Sequence, residues 1–142
     1  MTPAITFTIP GEAVGKGRPR ASSIGGQIRM HTPAKTSRYE SLVALAAQQA
    51  MVGRLPIDGP VELDIVIETV PAISWPKKRR ESALEGELRP TSKPDADNVL
   101  KAIADACNGI VFGDDRQIID VRVRKFYAER AQTSVAVREW RP

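Results

Sequence analysis

One cysteine, Cys107, and one histidine, His31, are all this chain holds of the side chains that build disulfide frameworks, zinc centres and Ser-His-Asp triads. A lone cysteine excludes a disulfide framework within the chain and any cysteine-based zinc site. It suits a reducing compartment, so a cytoplasmic protein is expected. Nothing in the surrounding sequence gives His31 a catalytic partner, and it reads as a polar hairpin residue. Cys107 reads as packing, since no activating base stands near it in the sequence. Aromatic residues make up only 5% of the chain, and Trp75 and Trp140 read as anchors of a core or interface rather than as base-stacking platforms. No apolar run approaches the roughly 18 residues of a membrane span. The first ten residues lack a basic segment followed by an apolar stretch, so neither a membrane partner nor a leader is expected. A phosphate-binding loop is also missing. Gly11 and Gly15 are separated by three residues rather than four, and Lys16 is followed by Gly17 instead of Ser or Thr, so no nucleotide cofactor is expected.

What remains is a chain of 142 residues with 42% hydrophobic content. That is long enough for one domain with a core and too short for two ordinary ones, so a single α/β or α+β domain over 1–142 is expected. The net charge of +4 is modest but unevenly spread. Residues 1–40, 71–93 and 121–142 each carry six Lys/Arg against two or three acids, whereas residues 94–120 carry six aspartates against two bases. Basic segments suit a polyanion such as nucleic acid. Clustered aspartates repel that polyanion unless a divalent cation lies between them. Solvated loop acids and ordinary surface bases give the same arithmetic, so composition alone leaves both readings open.

Periodicity supplies a layout. Ile5, Phe7 and Ile9 alternate with threonines and end at Pro10-Gly11, the pattern of a half-buried strand. Gly25-Gly26 suggests a small hairpin after the basic, Gly/Pro-broken stretch 15–20. From about 35 to 52 the apolar spacing turns helical, with Tyr39, Leu42, Val43, Ala46, Gln49 and Ala50 expected on one face and Gly53 as the stop. Val61, Leu63, Ile65 and Ile67 mark the clearest strand. A short basic helix is expected from Ser74-Trp75-Pro76 through Lys77, Lys78, Arg79 and Arg80 to Leu84. A second helix is expected over 96–107, with Val99, Leu100, Ile103 and Cys107 inward and Asn108-Gly109 as its end. Two closing strands, 117–127 and 132–138, complete the chain, and no linker, repeat or low-complexity segment divides it.

The candidate chemistry lies in two neighbouring stretches. Asp95 and Asp97 stand at the start of the 96–107 helix, and Asp97, Lys101 and Asp105 recur every four residues along one stripe, mostly opposite its apolar side. Asp114-Asp115 follows a glycine and precedes a strand that can return beside that helix, bringing a third carboxylate to the first two. Converging carboxylates suit a hard cation such as Mg²⁺, which leaves room for phosphate oxygens and an attacking water. Lys101 is placed to offset charge developing on a phosphate. The same residues also read as a helix cap, an exposed i,i+4 pair and turn chemistry.

The run Lys93-Pro94-Asp95-Ala96-Asp97-Asn98, with Lys101, Asp105, Asn108 and Gly109 at their spacing and Asp114, Asp115, Gln117 and Ile118 after it, closely resembles the signature of the RusA family of Holliday junction resolvases. The basic opening 15–20 and the hairpin with Thr32-Pro33 are similar to that family's start. The resemblance implies a small homodimeric endonuclease of mixed α/β fold, a mixed sheet flanked by helices, dependent on Mg²⁺ with Mn²⁺ as a substitute, that nicks four-way DNA junctions symmetrically in recombination and repair. It implies Asp95, Asp97 and Asp115 as metal-binding carboxylates and Lys101 as the catalytic lysine, with Asn98 and Asp114 in support. A four-way junction is close to two-fold symmetric, and a two-fold protein offers one site to each paired nick. Lys16, Arg18 and Arg20, and the run Lys77, Lys78, Arg79 and Arg80, are the candidate DNA contacts. A metal nuclease preferring flaps or other branched DNA, and a DNA-binding protein without catalysis, are the rival readings.

Overall fold

The computed structural model describes residues 4–17, 20–31 and 33–142, with the backbone alone at 20–24 and 28–31. Its elements are β1 (Ile5–Pro10), β2 (Arg20–Ile24), β3 (Gln27–His31), α1 (Ala34–Ala50), β4 (Val61–Thr69), α2 (Lys77–Leu84), α3 (Ala96–Cys107), β5 (Ile118–Tyr127) and β6 (Gln132–Glu139). The architecture is α+β: a mixed four-stranded sheet in the order β1-β6-β4-β5, the separate hairpin β2-β3, and three helices.

β4 earns its central place by composition. Val61, Leu63, Ile65 and Ile67 are all buried on one face, while Glu62, Asp64, Val66 and Glu68 on the other are half-buried, as expected for an interior strand with one apolar face. It pairs antiparallel with β6, with Ile65 opposite Val135, and parallel with β5, with Ile65 opposite Val123. The two closing strands therefore do not form a hairpin with each other; β4 lies between them. A parallel neighbour needs a crossover, and residues 70–117, which contain α2 and α3, provide it. β1 forms the edge beside β6, where Pro10 is tolerated at its end because an edge strand has spare N–H positions.

α1 and α3 pack on the apolar face of the sheet. Tyr39, Val43 and Ala47 from α1 meet Val99, Ala102, Ile103 and Cys107 from α3 in one core that also takes in Val111, Phe112 and the inward residues of the strands. The Tyr39 hydroxyl donates to Thr133 Oγ1 at 3.0 Å, which satisfies two buried hydroxyls at once. The inward face of α1 differs from the expected one. Leu42 is 46% exposed and Gln49 is exposed, while Thr36 and Ala47 are buried in their place. The stripe is rotated because Thr36 is drawn inward to hydrogen-bond the loop after β1. Asn108 and Gly109 end α3 where expected, Asn108 as the residue that closes the helix and Gly109 with positive φ after it. Trp75 is half-buried against Tyr127, whereas Trp140 is 41% exposed and lies outside the core of the described residues. No helix among the described residues is long and apolar enough to cross a membrane.

Candidate active site

α3 builds one wall. Its apolar face is set by Val99, Ala102, Ile103 and Cys107, which turns Asp97 and Lys101 outward to solvent. Asp95 is the residue just ahead of the first turn, with extended backbone, yet its side chain caps no backbone N–H. Its carboxylate instead meets the Asn98 side-chain amide at 3.5 Å. The capping reading of Asp95 is therefore not realised. Neither is the surface pair: among the described residues Asp97 and Lys101 form no salt bridge, although they stand one turn apart. Both groups keep their charge available for something else.

The acidic turn before β5 builds the opposite wall, and its two aspartates differ. Asp114 accepts from the Arg116 backbone N–H at 2.9 Å and starts a single tight helical turn, Asp115–Gln117. Gln117 answers it. Its side-chain oxygen accepts from the Asp114 N–H at 2.9 Å, and its amide donates to the carbonyls of Ile57 and Gly59, both at 2.9 Å, which ties the turn to the chain entering β4. The Arg116 N–H and a hydrogen bond from Asp115 hold Asp114 below its usual carboxylate range. Asp115 is pushed above its own, first by that hydrogen bond, then by slight burial and by the charges of Asp114 and Asp105, with Lys101 acting against them. Asp114 is thus the cap of the turn, and Asp115 is the carboxylate the turn presents.

Asp97, Lys101 and Asp115 line one pocket of about 260 Å³ between α3 and the open edge of β5, floored by Leu100, Ala104, Ile118 and Val121. Asp95 faces a different cleft, on the side of the loop after β1. Among the described residues no three carboxylate, histidine or cysteine side chains stand close enough to hold one ion, so the structure brings two of the three expected ligands together with the lysine and leaves the third beside them. Two carboxylates in an open pocket still suit Mg²⁺, which is commonly bound through one or two carboxylates with water and substrate phosphate oxygens making up the rest.

The basic residues divide. Lys16 does not face open solvent: its ammonium binds Glu40 of α1 and Asp105 of α3, the latter at 3.2 Å. Burial lowers the pKa of this lysine, but the two acids outweigh it, and the value is raised. The surrounding loop is clamped as well. The Lys16 N–H donates to the Asn98 carbonyl at 2.8 Å, and the Gly17 N–H donates to Thr36 Oγ1 at 3.1 Å. A Cβ on Gly15 would stand 2.8 Å from Asn98 Cβ, so the glycine is required by close approach to α3 rather than by phosphate. Arg18 and the side chains of Arg20 and His31 lie outside the described residues. Lys77, Lys78 and Arg80 are exposed on α2, and Arg79 stacks on the Trp75 ring at 4.0 Å. Trp75 packs on Tyr127, which lies six residues along β5 from Val121 on the floor of the acidic pocket, a span of about 20 Å of strand. Sequence reasoning did not find the ion pairs of Lys16 or the clamping role of Gln117. The Gln117 signal was present in its position three residues after an N-cap aspartate.

Exposed carboxylates and a lysine that pairs with none of the described residues, grouped at the open edge of a mixed α+β sheet, define a site for acid–base or metal-assisted chemistry on an anionic substrate. The chain matches the family described as "Endodeoxyribonuclease RusA" over residues 10–138. It is also 43% identical, over 137 residues, to "Uncharacterized protein YqaN" of Bacillus subtilis (strain 168), a match covering 95% of this chain and 96% of that protein. The chain belongs to the RusA endodeoxyribonuclease family, whose activity is hydrolysis of DNA phosphodiesters.

Proposed function

We propose that the protein is a Mg²⁺-dependent endonuclease that resolves four-way DNA junctions by paired symmetric nicks, working as a homodimer in recombination and repair. The observation that carries this reading is the shared pocket of Asp97, Lys101 and Asp115, in which, among the described residues, neither a helix cap nor the i,i+4 ion pair has taken up Asp97 or Lys101. Asp97 and Asp115 would hold the cation, with Asp95 as the adjacent third carboxylate, and Mn²⁺ would substitute. The ion, when bound, supplies Lewis acidity toward the scissile phosphate and lowers the pKa of water. Lys101 stabilises the negative charge that develops on the phosphate oxygens. Asn98 orients Asp95, and Asp114 with Gln117 fixes the backbone that carries Asp115. The exposed bases of α2 would take up a more distant stretch of DNA backbone.

Four-way junctions are the preferred substrate in this reading because two copies of one site match a two-fold substrate. A direct comparison of four-way junction, flap and linear duplex tests it. Mg²⁺-dependent nicks on opposing junction strands, at rates well above those on flap and duplex, are expected. Faster cutting of flaps would move the assignment to another branched substrate. Tight junction binding with no cutting in any divalent cation would mark a binding protein.

A further inference from the structure

The cleft on the Asp95 side of α3 is lined in part by Asp95 and Asn98, and its remaining residues have no role in the chemistry above. It has a volume of about 400 Å³ and gathers basic residues from three separate parts of the chain, Lys16 from the loop after β1, Lys35 from the first turn of α1 and Lys93 from the segment entering α3, beside the acid Glu12, whose carboxylate accepts from the Thr69 hydroxyl at 2.8 Å. Lys16 spends its ammonium on Glu40 and Asp105. Lys35 and Lys93 are exposed, and neither forms a salt bridge among the described residues. Lys35 also stands in a first helical turn that holds no acid, where the helix dipole disfavours a cation. Two such lysines, brought from separate segments to one concave site, offer donors to an anion; Glu12 and Asp95 oppose them there, and a cation held by Asp95 would tip the balance to positive.

Asp95 and Asn98 line the same cleft, so whatever enters it lies next to a proposed metal carboxylate. We infer that this cleft holds a DNA phosphate next to the scissile one on the cut strand, bound by Lys35 and Lys93, which makes these two lysines positioning residues for the strand. The inference rests on the nuclease reading above and names where its substrate strand runs. Lys16 then serves the cleft indirectly, by pinning its floor between α1 and α3.

The test is junction affinity, measured by fluorescence anisotropy in Ca²⁺ over a range of salt, together with steady-state nicking in Mg²⁺. For Lys35→Gln/Lys93→Gln, junction affinity should fall roughly tenfold, with the slope of log affinity against log salt shallower by about 1, and KM should rise more than kcat falls. Arg54→Gln removes the same kind of charge beyond the opposite end of α1, some 25 Å away, and should change affinity less than about twofold. The decisive arm is a junction with a single uncharged methylphosphonate at one or other phosphate flanking the cut. One of these positions should weaken wild-type binding and add nothing further to the double lysine variant, because both changes remove the same contact. Additive losses at both positions, or equal losses from Arg54→Gln, would overturn the inference. Each single lysine variant gives the same readout if the double variant melts early. A wild-type protein that fails to nick any DNA would bring down the nuclease reading itself; a wild type that nicks normally beside an unaffected lysine variant brings down only this inference.

Discussion

Asp114 and Asp115 are neighbours in the chain with opposite assignments. Asp114 is fixed by the Arg116 N–H and Gln117, while Asp115 projects from the turn they make. Two substitutions should separate them. Asp115→Asn is expected to lower nicking by about 10² or more with unchanged thermal stability, since it removes a proposed metal ligand from an exposed position. Gln117→Ala removes three hydrogen bonds, at about 1 kcal/mol each, so it should lower the urea midpoint and slow nicking together. Parallel assays of nicking and urea unfolding on both variants check this; an Asp115→Asn protein that cuts normally would remove that residue from the site. Cys107 makes a simpler case. It is fully buried, and burial pushes its thiol up to about 12. A thiol reagent should therefore react with native protein at least about a hundredfold more slowly than with protein in denaturant.

At the scale of elements, the loop after β1 decides how α1 and α3 meet. Lys16 joins Glu40 to Asp105, and Gly15 admits Asn98 at a distance no side chain allows. Gly15→Ala is expected to cost about 1–3 kcal/mol through overpacking and to disturb Asp95 through its Asn98 contact, so a urea titration should show lower stability and an assay lower activity. The Lys16 pairing also has a pH signature. Its pKa is raised in the fold, so the stability it contributes is fully present below the ordinary lysine value of 10.5 and is lost as pH rises through the folded value. Unfolding free energy should fall more steeply above pH 10.5 in wild type than in Lys16→Met, and an identical slope would refute the pairing.

This is also the scale at which the sequence is most and least legible. α3 and β4 could be read directly, because Val99, Ile103 and Cys107 repeat with a helical period and Val61 to Ile67 with a period of two, and each pattern follows from burial of one face. The same patterns carry no information about neighbours, which is why the insertion of β4 between β5 and β6 was not legible. The candidate carboxylates and Lys101 were found as residues, and their partition between two clefts was not, because it depends on the angle at which α3 crosses β5. The partners of Lys16 lie 24 and 89 residues away in the chain, beyond the reach of any local motif.

For the whole molecule, the net charge of +4 describes little. Acids concentrate on α3 and the turn before β5, bases on α2 and around the cleft of Lys35 and Lys93, and the two are held apart by about 20 Å of strand on the α2 side. A DNA backbone following the bases would pass the acids, which is the arrangement a metal-assisted nuclease needs. With one such site in 142 residues, paired cuts call for two chains. Sedimentation equilibrium should give a mass near twice 15.5 kDa, and a strict monomer on junction DNA would contradict the symmetric mechanism. The measurement that bears most directly on the central assignment is nicking of a synthetic four-way junction by wild type and by Asp97→Asn, with and without Mg²⁺. Paired nicks by wild type in Mg²⁺ only, with a variant that binds the junction as well or better because repulsion falls but leaves it intact, are the expected result; cleavage persisting in Asp97→Asn with Mg²⁺ present would contradict it.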